Sequence, residues 1–174
     1  MILTGNEIQK RVEDGSIIID PFDPKLITTD SYDFHLGDTL LVYKDSLLDV
    51  KLVNETEEIK IPESGMVLNP DKIYLGHTQE IMGSKKYVPI IRGKSSTGRL
   101  GIFVHITADL IDIGSVNQYT LMLHVVQPVR VYPGMLIGQV TFWTVEGEVN
   151  QLYDGKYQGL MGPQASQVYR DFEN

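Results

Sequence analysis

From Ile17 onward, apolar residues in this chain recur at every second position in short runs, and nearly every run is closed by Gly, Pro, Asn or Asp. A period of two sends alternate side chains to opposite faces of a strand, so the pattern admits many short strands with one buried face and disfavours helices. The runs fall at 17–19, 32–36, 40–43, 58–61, 66–68, 72–78, 88–91, 102–107, 119–126, 129–131 and 135–145. The acidic run at 54–58 reads as a solvated loop. One segment breaks the rule. Residues 4–15 carry a T-x-x-E capping box from Thr4 to Glu7, apolar Ile8 and Val12 one turn apart, and Gly15 at the C-terminal end, which together predict a single helix. One helix followed by strands, with no alternation of strands and helices, predicts a mainly β chain built as an antiparallel barrel or jelly-roll-like sandwich.

The 174 residues suit one domain, 1–174, in which a tail, 154–174, differs from the rest. DGKYQGLMGPQAS, rich in Gly, Gln and Pro, has no hydrophobic period. It reads either as a frayed end or as a mobile flap that brings Lys156 and Tyr157 over a ligand. Residues 167–172 regain apolar character and can dock on the body.

Cysteine is absent, which excludes disulfides, thiol nucleophiles and every zinc site that needs thiolate, including that of the zinc nucleobase deaminases. A formal charge of −8 argues against a nucleic-acid partner. No run of about 20 apolar residues is present and the N-terminus lacks a signal-peptide pattern, so the expectation is a cytoplasmic chain with no membrane partner.

Against this acidic background the stretch RGKSSTGRLGIFVHITADLID, from Arg92 to Asp112, concentrates cations, a Ser-Ser pair and glycines in one turn. Hydroxyls and N–H groups donate to phosphate oxygens, glycines allow close approach, and Lys94 and Arg99 supply charge. A solvated basic turn is the alternative reading. The stretch is not a P-loop, because that pattern requires glycine where Val88 stands.

With MILTGNEIQKRVEDGSIIIDPFDP, SYDFHLG, GKSSTGRLGIFVHITADLID, YPGMLIGQVTF and GKYQGLMGPQAS in order along the chain, the sequence resembles the dCTP deaminase family, including its bifunctional dCTP deaminase/dUTPase members, within the trimeric dUTPase superfamily. The resemblance implies a distorted β-barrel that forms a homotrimer with interfacial sites, a tail that folds over a deoxypyrimidine triphosphate, dUTP or dCTP, and Mg²⁺ held through the triphosphate with no direct protein ligand. By position it implies that Lys94, Ser95, Ser96 and Arg99 hold phosphates, Arg99 from a neighbouring subunit. It likewise implies that Ile106, Thr107 and Ala108 contact sugar and base, and that Tyr153 and Lys156 serve the phosphates and tail. Asp112 falls at the sugar and catalytic water, and Gln139 lies in a further family motif.

One departure bears on the chemistry. The glutamate that such deaminases use to take a proton from the water attacking C4 of cytosine falls on Met122. A thioether has no titratable site near neutral pH. Asp112-Ile113-Gly114-Ser115 replaces the usual Asp-Pro-Gly-aromatic, and Leu160 stands where many relatives have glutamine. His124, two residues from Met122 on the same strand face, is a substitute base or a structural histidine. His35, His77 and His105 read as turn or core residues, Asp33 as second to the site or structural, and Asp112 alternatively as a hairpin cap. Three functions follow: cleavage of dUTP to dUMP and pyrophosphate through Asp112; deamination of dCTP with a substitute base such as His124; and non-catalytic nucleotide binding in a regulatory protein.

Overall fold

Three antiparallel sheets carry the chain, and a computed structural model describes residues 1–173 of it. Asn174, the last residue of the expected tail, lies outside the described residues. Helix α1 (Gly5–Glu13) opens the chain and buries Ile8 completely. The expected capping box does not form. The Thr4 side chain makes no cap hydrogen bond, and Glu7 pairs instead with Arg11 one turn on, an i,i+4 ion pair on the solvent side.

The largest sheet orders β4 (Thr56–Lys60), β3 (Thr39–Tyr43), β6 (Tyr74–Ser84), β9 (Val116–Val125) and β8 (Ile102–Phe103), with β1 (Ile17–Asp20) also paired to β6. A second sheet runs β2 (Tyr32–His35), β11 (Leu136–Trp143), β7 (Val88–Gly93), and a third joins β5 (Met66–Leu68) to β10 (Val129–Val131). The mainly β, antiparallel expectation is met. Among the described residues the hydrogen-bonded sheets do not close into a ring, so the expected barrel is not found closed. A shared core of Tyr32, Phe34, Leu36, Leu40, Leu68, Met82, Ile91, Leu121, Leu123 and Phe142 holds them together. Each such side chain contributes about 1.5–3 kcal/mol by leaving water.

Three local expectations need correction. The strand expected at 58–61 begins earlier, at Thr56 within the stretch expected as a loop, and the exposed Glu57 and Glu58 of this edge strand β4 are the charges that keep an open edge from pairing with other chains. The strand predicted at 102–107 stops at Phe103. The turn after β7 contains a single helical turn, α2 (Ser95–Gly98), tied down by the buried Thr97 hydroxyl, which donates to Lys94 O at 2.8 Å and Ile137 O at 3.1 Å. Among the described residues no helix is long and apolar enough to cross a membrane.

Candidate functional site

Strand β9 alternates strictly between buried and half-buried residues, which puts Gln118, Thr120, Met122 and His124 on one face. The first three line a cavity of about 550 Å³. Its other walls are Tyr43 of β3, Leu75 of β6, which is in register with Met122, and the segment from Ala108 to Asp112. That segment lies along β7, with Ile91 N donating to Asp109 O and Ile111 N to Pro89 O, both at 2.9 Å. Asp112 opens a tight hairpin closed by Ser115 N donating to Asp112 O at 3.1 Å, and its exposed carboxylate is the one acidic side chain among the described residues lining the cavity.

Gly114 in this hairpin is required. Its φ is 98°, and a Cβ there would stand 2.7 Å from Leu152 Cβ and 2.8 Å from Tyr153 N. The close approach lets Tyr153 N donate to Ile113 O at 2.8 Å, which seats the start of the tail beside Asp112. Gly114→Ala is therefore expected to destabilise the fold by about 1–3 kcal/mol. A urea-unfolding midpoint equal to wild type would remove this steric argument.

The tail roofs the cavity and is docked rather than frayed. Backbone N–H groups at alternate positions donate to side chains below: Gly162 to Gln118 Oε1 at 2.8 Å, Gln164 to Thr120 Oγ1 at 3.0 Å, and Ser166 to the Tyr43 hydroxyl at 3.0 Å. Gln167 N also donates to the Tyr157 hydroxyl at 2.8 Å. The two-residue spacing of the tail donors matches that of Gln118 and Thr120, so the segment runs extended over β9. Tyr153, Tyr157, Leu160 and Gln164 all face the cavity.

Lys94, Ser95, Ser96 and Arg99, expected at the phosphates, do not line this cavity, and neither do Ile106 and Thr107, expected at the sugar and base. Lys94, Ile106 and Thr107 line a second cavity of about 520 Å³ with Arg92 and Asp109, and His105 borders both cavities. Lys94 pairs with the buried Asp33, and Arg92 with Asp109 at 3.3 Å. Gln139 sits in register between Asp33 and Arg92. Ser95, Ser96 and Arg99 are exposed and line neither cavity. Among the described residues Arg99 makes no ion pair. Gly93 and Gly98 do not adopt the left-handed conformation, and the space beside Gly98 is open, so their use is room rather than backbone freedom. One chain thus brings Ala108, Asp112, Met122 and Tyr153 together and holds Lys94, Ser95, Ser96 and Arg99 apart from them.

His124 does not reach the Asp112 cavity. Its ring lies 6.3 Å from that of Phe103. Lys156 is held within the tail, donating to Asp171 at 2.7 Å and Gln167 O at 3.2 Å. The imidazole in the cavity wall is His105, whose burial pushes it down to about 4 and keeps it neutral at ordinary pH. Burial likewise pushes the Tyr119 phenol up, so it stays protonated and donates to Ser115 O at 3.2 Å. Sequence reasoning missed His105, Tyr43 and Asn117 as cavity residues. The regular alternation in β9 was the signal for Thr120 and Met122 but gave none for Asn117, on the opposite face of the same strand, or for Tyr43 and His105, which arrive from other segments.

Comparison with known proteins gives a consistent result. A family model described as dCTP deaminase-like matches residues 2–145. The chain is 48% identical over 173 residues to a protein of Clostridium beijerinckii named "dCTP deaminase, dUMP-forming", and 47% identical to one of that name from Leptospira biflexa; 99% of this chain and 99% of each relative are covered. The fold is similar to the crystal structure of 2'-deoxycytidine 5'-triphosphate deaminase from Agrobacterium tumefaciens, with a TM-score of 0.66 and 20% identity over 86% of this chain. The chain spans 50% of that protein's solved length.

Proposed function

The chain belongs to the dCTP deaminase-like family of hydrolases, and from that premise we propose that it cleaves dUTP to dUMP and pyrophosphate through Asp112, without deaminating dCTP. The observation that carries this reading is the composition of the Asp112 cavity. It is lined by Asp112, to which the resemblance assigns the activation of water, and by Met122, a thioether at the position to which it assigns the deaminating glutamate. The name shared by the relatives joins deamination to dUMP formation, and this chain's residues favour keeping only the second.

In the proposed reaction Asp112 takes a proton from water as the water oxygen bonds to the α-phosphorus. The bond from that phosphorus to the bridging oxygen breaks, and pyrophosphate leaves with the electron pair. The docked tail excludes bulk water from the base and sugar. Among the described residues no group of three or more His, Cys, Asp or Glu side chains is arranged to hold a metal, and such a site fits an ion that takes its ligands from phosphate and water. Mg²⁺ bound in this way would offset charge on the triphosphate.

The site is shared in this reading. Asp112, Ala108, Met122 and Tyr153 of one protomer face the nucleoside, and Arg99 with Ser95 and Ser96 of a neighbour in a homotrimer reaches the phosphates. The support is the separation of these groups within one chain and the exposure of Arg99. The protein works in the cytoplasm in this reading, as befits a nucleotide-metabolism family.

The reading is tested by incubating the full chain with Mg²⁺ and dUTP and following nucleotide and phosphate products together. Equal amounts of dUMP and pyrophosphate are expected. Binding of dUTP with no cleavage would replace the enzyme by a nucleotide sensor.

A further inference from the structure

Buried polar groups in folded proteins are nearly always paired, because an unpaired one forfeits its hydration without compensation. Among the described residues the buried side-chain atoms that make no hydrogen bond are His105 Nδ1, His105 Nε2 and Asn117 Oδ1. Both residues line the Asp112 cavity. Asn117 is only 6% exposed, and its amide is oriented by Nδ2 donating to Ser115 Oγ at 2.8 Å, which leaves Oδ1 as an acceptor with nothing to accept.

The chemistry of this pair suits the neutral part of a nucleotide. An amide oxygen and a neutral imidazole are weak partners for a triphosphate, and no Lys or Arg among the described residues lines this cavity, whereas Arg92 and Lys94 line the other. Around them Leu75, Leu110, Ile111, Met122 and Leu160 form an apolar enclosure suited to a flat ring. A pyrimidine imide presents an N–H flanked by two carbonyl oxygens, which complements one acceptor and one N–H donor. Cytosine has a bare nitrogen acceptor in place of that N–H.

We infer that Asn117 and His105 are specificity-determining residues that read the imide edge of a uracil-type base, Asn117 Oδ1 accepting from N3–H and His105 donating to a ring carbonyl. This rests on the reading that the Asp112 cavity holds the nucleoside. It goes beyond that reading in naming the atoms that select the base and in assigning a role to two residues outside the phosphate and water-activating sets.

Calorimetric titration of the full chain with dUMP and with N3-methyl-dUMP tests it without any substitution. Wild type is expected to bind dUMP tenfold or more tightly over the methylated nucleotide. Asn117→Ala and the milder Asn117→Ser are expected to weaken dUMP about tenfold while leaving N3-methyl-dUMP unchanged, which removes the discrimination. His105→Phe, which keeps a ring, is expected to weaken both nucleotides alike. Equal binding of the two nucleotides by wild type, or discrimination that survives both Asn117 substitutions, overturns the inference and leaves dUTP cleavage standing. Failure of dUMP and dUTP to bind at all overturns this inference and the proposed function together.

Discussion

Asp112→Asn is expected to slow pyrophosphate release from dUTP by about 10³-fold while changing the nucleotide affinity less than about threefold. The amide keeps the size of the side chain and loses the ability to take a proton. The hairpin is held by the Asp112 backbone carbonyl, and among the described residues the Asp112 side chain makes no hydrogen bond that the substitution would remove. A structural cap would behave differently, lowering stability and leaving turnover intact. The same variant tests the shared site. Arg99→Ala removes the exposed cation, and Arg99→Ala and Asp112→Asn are each expected to be inactive alone. Mixed and reassembled as trimers, roughly a quarter of the sites would combine an intact Asp112 with an intact Arg99 from its neighbour. Recovered activity of that order is expected, and none would place Arg99 and Asp112 in the same protomer's site or remove one from the reaction.

Deleting residues 155–174 is expected to reduce kcat/KM for dUTP by about 10²-fold with little loss of thermal stability. The two effects separate because the tail is tied to the cavity rim and not to the core. Its donors serve Gln118, Thr120 and Tyr43, whereas the buried core ends at Phe142. Without the roof the nucleoside meets bulk water and loses a wall that includes Leu160 and Gln164. Thr120→Val, which removes one acceptor for the tail, is expected to move in the same direction by a smaller amount. A truncated chain with full activity would make the tail a bystander.

Local periodicity was a good guide where strands are short and bounded by turn residues. Residues 66–68 and 129–131 are strands with the predicted ends. It failed where tertiary contacts decide. Strand β6 runs on to Ser84 through a register shift against β9, which no local pattern announces. Helix α2 is a turn of Ser, Ser, Thr and Gly with little intrinsic helix preference, fixed by Thr97 and β11. The same division holds at the site. Asp112, Ala108, Met122 and Tyr153, which the motifs point to, do line one cavity, because the 108–112 segment laid along β7 and the tail tied to β9 both border it. His124 shares a face with Met122 yet lies beyond the cavity, since a strand face is longer than the pocket it floors. His105 lies within the 92–112 motif without a role in it and Asn117 lies outside the motifs, and their interest comes from hydrogen bonds that the chain itself does not supply.

The central claim is that Met122 has separated the two reactions, keeping phosphate chemistry and losing amine removal. It is tested most directly by supplying dCTP with Mg²⁺ beside a parallel dUTP reaction, and measuring ammonia and pyrophosphate in both. Pyrophosphate from dUTP with no ammonia from dCTP is the predicted result; steady release of ammonia from dCTP at a rate comparable to dUTP cleavage would contradict it.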